Sequence, residues 1–443
     1  MTISEFSRKL RAGQTSAAAI TDQCLQRIET DNPRLNAFIH VMADQARRDA
    51  READADLAAG RDHGLLHGVP ISIKDIVDVR GVPTTAASRV REGHIAAADA
   101  PTVTLLRRAG AIVIGKTNLH EFAFGTTNED SAFGPARNPH DPSRSPGGSS
   151  GGSAAGVAAG MSLATLGTDT GGSIRIPAAL CGIVGLKPTY GEVSADGVVP
   201  LSRTLDHIGP LALDVTDAWL LYHALVGRPV TRQLSAAPAS GLRLGVPRRY
   251  FCDLLDDGVK ASFERALDQI QRAGARVDVV DIKHADLIAP IYLHIVLSDA
   301  VAYHAATLDS MPERYTVPVR TRLEMGRSIL AEDYVRALNG RETLRREVDA
   351  ALSSRDALVM PSVPIPAPPI GAVQIRVGNQ EEPVRNLTLR LTQLFDLTGH
   401  PAISLPMAPT PSGLPCGFQL AGARGQTNAL LEAALAVEHI FRT

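Results

Sequence analysis

Two serine hydroxyls sit inside the two glycine-rich clusters of this chain. Ser149 lies in Gly147-Gly148-Ser149-Ser150-Gly151-Gly152, and Ser173 closes residues 167–173, 24 positions later. Glycine weakens regular elements, so such density suits backbone that approaches another group closely or takes unusual dihedrals. Loops of this kind also present successive N–H groups, which hold negative charge: a bound phosphate, or an oxyanion formed during a reaction. A P-loop requires Gly-x4-Gly-Lys-Ser/Thr, and here Gly172 and Ser173 have no lysine between them. Neither cluster has the Gly-x-Gly-x-x-Gly spacing of a dinucleotide site. Ile174, Ile176, Ile183 and Val184 argue against a flexible linker. An oxyanion loop beside a serine nucleophile survives, and it needs a base from elsewhere in the chain. The bland alternative for both serines is turn chemistry.

Positioning two loops against a base takes a scaffold, and the residue pattern describes one. Residues 154–164, small and apolar, are predicted as a buried helix between the clusters. Residues 17–28 carry Ile20, Cys24, Leu25 and Ile28 at helical spacing, with Asp31-Asn32-Pro33 as the stop. Residues 43–59 read as a charged surface helix, and Ile71-Ser72-Ile73-Lys74 alternates like a strand with one buried face. Taken alone, Lys74 there is a solvated edge residue. A helix at 101–109 and a strand at 111–115 follow, then a loop holding His120, Glu121, Phe122 and Phe124. Further on come helices at 214–226, 262–273 and 427–441, with helical patterns across 288–352. Strands are expected at 241–246, 276–281 and 356–360, before an extended proline-rich stretch at 361–369. The class is therefore α/β, helices around a large mixed sheet. His63 and His67 have HxxxH spacing, but Gly64, Gly68 and Pro70 oppose a helix and no third ligand stands near, so no metal site is expected.

Composition narrows the function classes. Apolar content of 44% with 21% charged residues is that of a globular chain with a substantial core. A net charge of −2, from 45 basic and 47 acidic residues well mixed, argues against nucleic-acid and membrane-surface roles. Aromatics at 4% leave little for base stacking. Cys24, Cys181, Cys252 and Cys416 are scattered without a C-x-x-C pair, as buried thiols in a reducing compartment would be. No secretory leader and no bilayer-spanning window is read, so the expected location is cytoplasmic.

The segment 145–189 resembles the signature of the amidase signature enzymes, free-standing bacterial amidases in particular. Gly68-Val69-Pro70-Ile71-Ser72-Ile73-Lys74-Asp75 is similar to that family's lysine-bearing strand. Gly115-Lys116-Thr117-Asn118 and Gly185-Leu186-Lys187-Pro188-Thr189 resemble its other landmarks. The likeness spans residues 3–441 and is strongest over 66–210. It implies one amidase domain over 1–443, helices on both sides of the sheet, a signature core at 66–210 and a variable, substrate-shaping part at 245–380. It also implies a triad: Ser173 as nucleophile, Ser149 as a bridging serine on a cis peptide, and Lys74 as base. Such a lysine must fall from about 10.4 to about 7, a penalty on the ammonium of roughly 4–5 kcal/mol. The N–H groups of Thr170, Gly171, Gly172 and Ser173 would form the oxyanion hole, with Ser150, Asp169 and Arg175 in support. Asp169 and Arg175 either pair to shape the loop or form a surface ion pair.

Candidates for shaping the substrate pocket are Phe122, Phe124, Thr126, Thr127, Asn128, Tyr303, Arg390 and Phe395. The expected substrate is a small aryl or alkyl amide, with carbamates and esters open to the same acyl chemistry. No cofactor, metal, nucleic acid or membrane is called for, and a homodimer is an admissible assembly. One rival is the glutaminase component of a tRNA-dependent amidotransferase, which shares the triad. That subfamily usually has Gln where this chain has Ile176, and Asn where it has Ile76. The other rival is a non-catalytic binding protein on the same fold.

Overall fold

The structure, a computed structural model, describes residues 1–229 and 234–442. The earlier strands are β1 (Phe38–Val41), β2 (Pro70–Lys74), β3 (Ile112–Thr117), β4 (Ala164–Asp169), β5 (Val184–Lys187) and β6 (His207–Ala212). The later ones are β7 (Arg243–Pro247), β8 (Arg276–Val280), β9 (Ala357–Pro361), β10 (Gln374–Val377), β11 (Gln380–Pro383), β12 (Ala402–Met407) and β13 (Cys416–Ala421). Among the described residues, β10 and β11 pair as a separate two-stranded sheet. The others form one 11-stranded mixed sheet in the order β1-β3-β2-β4-β6-β5-β12-β13-β9-β7-β8. β2 runs parallel to both neighbours, and β5 joins the earlier strands to the later ones through its antiparallel contact with β12.

Helices α1 (Ile3–Arg11), α2 (Ala17–Leu35), α3 (Ala43–Ala58) and α4 (Pro101–Arg108) precede the glycine clusters. α5 (Gly151–Ala158) and α6 (Arg175–Cys181) grow out of them, followed by α7 (Val215–Leu225) and α8 (Asp257–Arg272). The rest are α9 (Ile288–Ser310), α10 (Val317–Gly326), α11 (Ala331–Leu352), α12 (Val384–Leu389), α13 (Gln393–Thr398) and α14 (Thr427–Arg442). Both faces of the sheet are covered. In β9, Ala357 and Val359 enter one apolar core while Leu358 and Met360 enter the other, as a two-residue repeat requires. In β2 the same repeat sends Ile71 and Ile73 into the first core and leaves Ser72 and Lys74 on the opposite face.

Four local expectations need correction. α2 continues through Asp31-Asn32-Pro33 to Leu35 and stops at Asn36, whose φ is 48°. Proline's fixed φ suits a helix, and so late in α2 it removes one hydrogen bond without blocking the last turn. The buried helix between the clusters is α5, not 154–164: the chain turns at Gly160, φ 70°, and 164–169 becomes strand β4. β2 is buried on both faces rather than one, because helices and glycine loops cover the side that alternation left to solvent. Lastly, residues 285–310, mean hydropathy 1.5, are long and apolar enough by length and composition to cross a membrane. In this fold Ile288, Ile291, Tyr292, Ile295 and Val296 of that stretch are buried, and α9 packs on α10, α11 and α13.

The small residues of α5 have a steric cause. A Cβ on Gly152 would stand 2.5 Å from the carbonyl oxygens of both Ala37 and Asn118. Gly152→Ala is therefore expected to lower stability by about 1–3 kcal/mol, as overpacking does. Gly241, with nothing within 4 Å of its Cβ position, serves as comparison. Gly241→Ala should stay within about 0.5 kcal/mol of the parent in the same denaturant titration.

Candidate active site

Lys74 ends β2 on the face that carries the glycine loops, and it is fully buried. Its Nζ donates to Ser149 Oγ at 2.7 Å and to Thr168 Oγ1 at 2.7 Å. Burial pushes its pKa down to about 7, against the opposing pull of Asp169 and Asp206. The next residue, Asp75, pairs with the buried Lys116 at 2.8 Å and so fixes the end of β2 against β3. Lys187 is a second buried lysine brought down to about 7 by burial. Its Nζ donates to the carbonyls of His400 and Pro188, at 2.6 and 3.2 Å, and to no serine among the described residues.

Ser149 is reached through a cis peptide from Gly148. The room for that turn comes from glycine, since a Cβ on Gly148 would lie 2.9–3.0 Å from the backbone of Thr126, Thr127 and Asn128. Ser150 clamps this loop to the second one. Its N–H donates to the Ser173 carbonyl at 3.2 Å, and its hydroxyl donates to the Thr168 carbonyl at 3.2 Å. Ser173 thus sits against the segment that carries Ser149.

The second loop leaves β4 at Asp169 and is pinned at almost every residue. Thr170 Oγ1 donates to Asp206 at 2.7 Å, and the Gly171 carbonyl accepts from Thr392 Oγ1 at 2.5 Å. Gly172 has φ 136°, and a Cβ there would meet Thr392 Oγ1 at 2.2 Å, so glycine is required twice over. Asp169 accepts from the N–H groups of Ile174 and Arg175 at 3.2 and 3.4 Å. The N–H groups of Gly171, Gly172 and Ser173 donate to no partner among the described residues. Burial pushes Asp206 up to about 6, while bonds from Thr170, Ser202 and Leu201 hold it down.

Arg175 is fully buried and radiates from the base of this loop. It grips Asp169 through Nε and Nη2, each at 3.0 Å, and reaches Asp396 at 2.6 Å. Its remaining nitrogen donates to Gln419 Oε1 at 2.8 Å and the Thr392 carbonyl at 3.0 Å. The pair is thus internal, not a surface ion pair. Burial would raise Asp169, but Arg175 holds it well below the usual carboxylate range. Burial and the neighbouring Asp169 push Asp396 well above it.

The substrate-pocket candidates divide. Thr126, Thr127 and Asn128 lie against Gly148, Thr127 accepts from Ser145 Oγ at 2.7 Å, and Asn128 Oδ1 accepts from the Gly152 N–H at 3.2 Å. Phe124 is buried beneath Arg322 and Arg385. Arg390 stacks on Tyr250, 3.8 Å from the ring centre, and lines a cavity with Tyr292 and Arg385. The other three are not brought to the loops. Phe122 packs edge-on to His304 and, with Tyr303, borders a different cavity. Tyr303 is 41% exposed, and Phe395 is enclosed in the apolar core. Aromatic type alone could not separate a pocket wall from a core plug. Thr168, Asp206, Thr392, Asp396 and Gln419 escaped the sequence reading. Asp206 lies near the end of the 66–210 signature core, where its charge was the available signal; the rest become neighbours only through the sheet.

Among the described residues no group of three or more His, Cys, Asp or Glu is placed to hold a metal ion. The amidase family profile matches residues 19–431. An amidase of Pseudomonas putida is 39% identical over 99% of this chain and 95% of its own. The A component of the glutamyl-tRNA(Gln) amidotransferase of Koribacter versatilis is 37% identical over 99% of this chain and 98% of its own. A crystal structure of an amidase, 38% identical, superposes with a TM-score of 0.94 and covers all of both chains. The chain belongs to the amidase signature family. It is a hydrolase of amide C–N bonds.

Removing the guanidinium leaves two buried carboxylates facing each other. Arg175→Met is expected to lose about 3–5 kcal/mol at neutral pH. The loss should shrink toward pH 5, because unpaired buried carboxylates with raised pKa values cost less once protonated. Denaturant midpoints of the variant and parent at pH 5 and 8 check both the size and the sign.

Proposed function

We propose that this chain is a free-standing amidase that cleaves small-molecule carboxamides through a seryl acyl-enzyme, with Lys74, Ser149 and Ser173 as its triad. The observation that carries the reading is the 2.7 Å contact between Ser149 Oγ and an amine enclosed by protein. Near neutral pH about half the lysine is uncharged, and turning the Ser149 hydrogen onto its lone pair converts the contact into proton acceptance. Ser149 then takes the Ser173 proton as Ser173 Oγ attacks the carbonyl. The unpartnered N–H groups of Gly171, Gly172 and Ser173, with that of Thr170, stabilise the oxyanion, a term worth about 3–4 kcal/mol per donor. Ser149 next protonates the departing amine, and water cleaves the ester.

Arg175, Asp169 and Ser150 act through loop shape. The continuous sheet supports one amidase domain over 1–443, with 245–380 contributing α9 and the cavity wall. The four cysteines are free, which fits a reducing cytoplasm. Aryl and alkyl amides are the proposed substrates, with carbamates and esters open to the same route.

The amidotransferase relative keeps a second reading open, the glutaminase component of such a complex. Ile176 weighs against it. Its Cδ1 lies 2.7 Å from the Cβ position of Gly172 and its Cγ2 3.2 Å from that of Gly147, so an apolar side chain fills the gap between the loops. Hydrolysis of glutamine that appears only with added partner proteins would reverse the choice.

Ser173→Ala and Lys74→Ala are each expected to cut kcat by at least about a thousandfold with the fold retained. A fluorophosphonate should label Ser173 in the parent; absence of labelling would remove Ser173 from the role of nucleophile. Because the base must be neutral, log kcat/KM should fall with unit slope as pH drops through about 7 and level off above it. A profile flat from pH 5 to 9 would remove Lys74 from the role.

A further inference from the structure

A cavity of about 400 Å³ beside the second loop is walled by α9 and α12. α12 meets the site at two points. Leu389 Cδ2 lies 3.1 Å from the Cβ position of Gly171, and Thr388 Oγ1 donates to Thr126 Oγ1 at 2.9 Å. Arg385 stands one helical turn before both residues, hence on the same face. Its guanidinium lies 6.0 Å from the centre of the Phe124 ring. The other arginines near the site are provided for. Arg175 has Asp169 and Asp396, Arg322 donates to the Phe124 carbonyl at 2.6 Å, and Arg390 donates twice to the Tyr250 carbonyl. The Arg385 side chain makes no ion pair or hydrogen bond among the described residues, and its Nε is buried without a partner. Glu382 lines the same cavity and does not pair with it.

Arg385 is half-buried, and a guanidinium drawn partly out of water without a counter-charge is destabilising until an anion arrives; its planar fork matches a carboxylate. A second donor is at hand. Tyr292 is buried, its hydroxyl stands 2.5 Å from the Cβ position of Gly171, and it has no hydrogen-bond partner among the described residues. We propose that Arg385, assisted by the Tyr292 hydroxyl, binds a carboxylate on the substrate, so that the preferred substrate is a short carboxylate-bearing amide whose scissile carbonyl lies in the Gly171–Ser173 loop. This rests on the amidase reading of that loop. The cavity is toward the small end of small-molecule sites, roughly 300–1,000 Å³, which favours a short chain between the two groups.

The test compares kcat/KM for succinamate and for 4-methylpentanamide, in which an isopropyl group replaces the carboxylate. The parent should prefer succinamate by about tenfold or more, the size of a charge-assisted pair. Arg385→Met should lower that preference by about tenfold, chiefly through KM, and Arg385→Lys should keep part of it. Arg385→Glu should turn the preference toward 4-aminobutanamide, a reversal that mere damage to the fold would not produce. A parent that cleaves both amides equally, or an Arg385→Met variant with the full preference, overturns the carboxylate site and leaves the Ser173 chemistry standing. Turnover that survives Ser173→Ala overturns both.

Discussion

The amine of Lys74 is fully buried, and much of the surrounding architecture follows from that. Lowering a lysine to about 7 corresponds to a penalty of roughly 4–5 kcal/mol on its protonated form. The sheet imposes it by placing β2 between two parallel neighbours, with Ile71 and Ile73 in one core and the glycine loops closing the other face. Cβ atoms on the Gly148 or Gly152 side would strike backbone, so the loops close over the lysine only because those positions are bare. Lys187 shows that burial alone does not make a base. It is shifted as far as Lys74, yet its neighbours are carbonyl oxygens that have no proton to give.

The second loop solves a different problem. In the proposed reaction its free N–H donors must face one oxyanion without collapsing onto their own carbonyls, which takes rigidity rather than desolvation. Arg175 supplies it by tying Asp169 at the end of β4, Asp396 on α13 and Gln419 on β13 to one guanidinium. α13 and β13 come more than two hundred residues after β4 in sequence and meet it because β5 pairs with β12. The later part of the chain therefore reaches the chemistry twice: at the foot of the loop through α13, and over its top through Tyr292 and Leu389.

What could be read from residues alone was the local chemistry. Two serine-bearing glycine clusters, a P-loop spacing that fails and a lysine at the end of an alternating strand all lie in short stretches. Element class was legible for the same reason, since repeats of two and of 3.6 are local. Burial was not. Ile71-Ser72-Ile73-Lys74 alternates whether its second face meets water or a loop 75 residues away, and only the fold decides which. Tyr303 and Phe395 lie away from the two serine loops, which their type could not show, because an aromatic side chain looks the same in a core, on a surface and at a site. Arg385 and Asp396 carry no local signal at all: their meaning comes from who surrounds them.

In the proposed reaction Lys74 is uncharged near neutral pH while touching Ser149. An NMR titration of lysines labelled with carbon-13 at Cε, with Lys74→Ala and Lys187→Ala used to assign the two shifted signals, measures this directly. The Lys74 midpoint is expected near 7 and should move when Ser149 is replaced by alanine. A midpoint above about 9.5, within the ordinary lysine range, would contradict it.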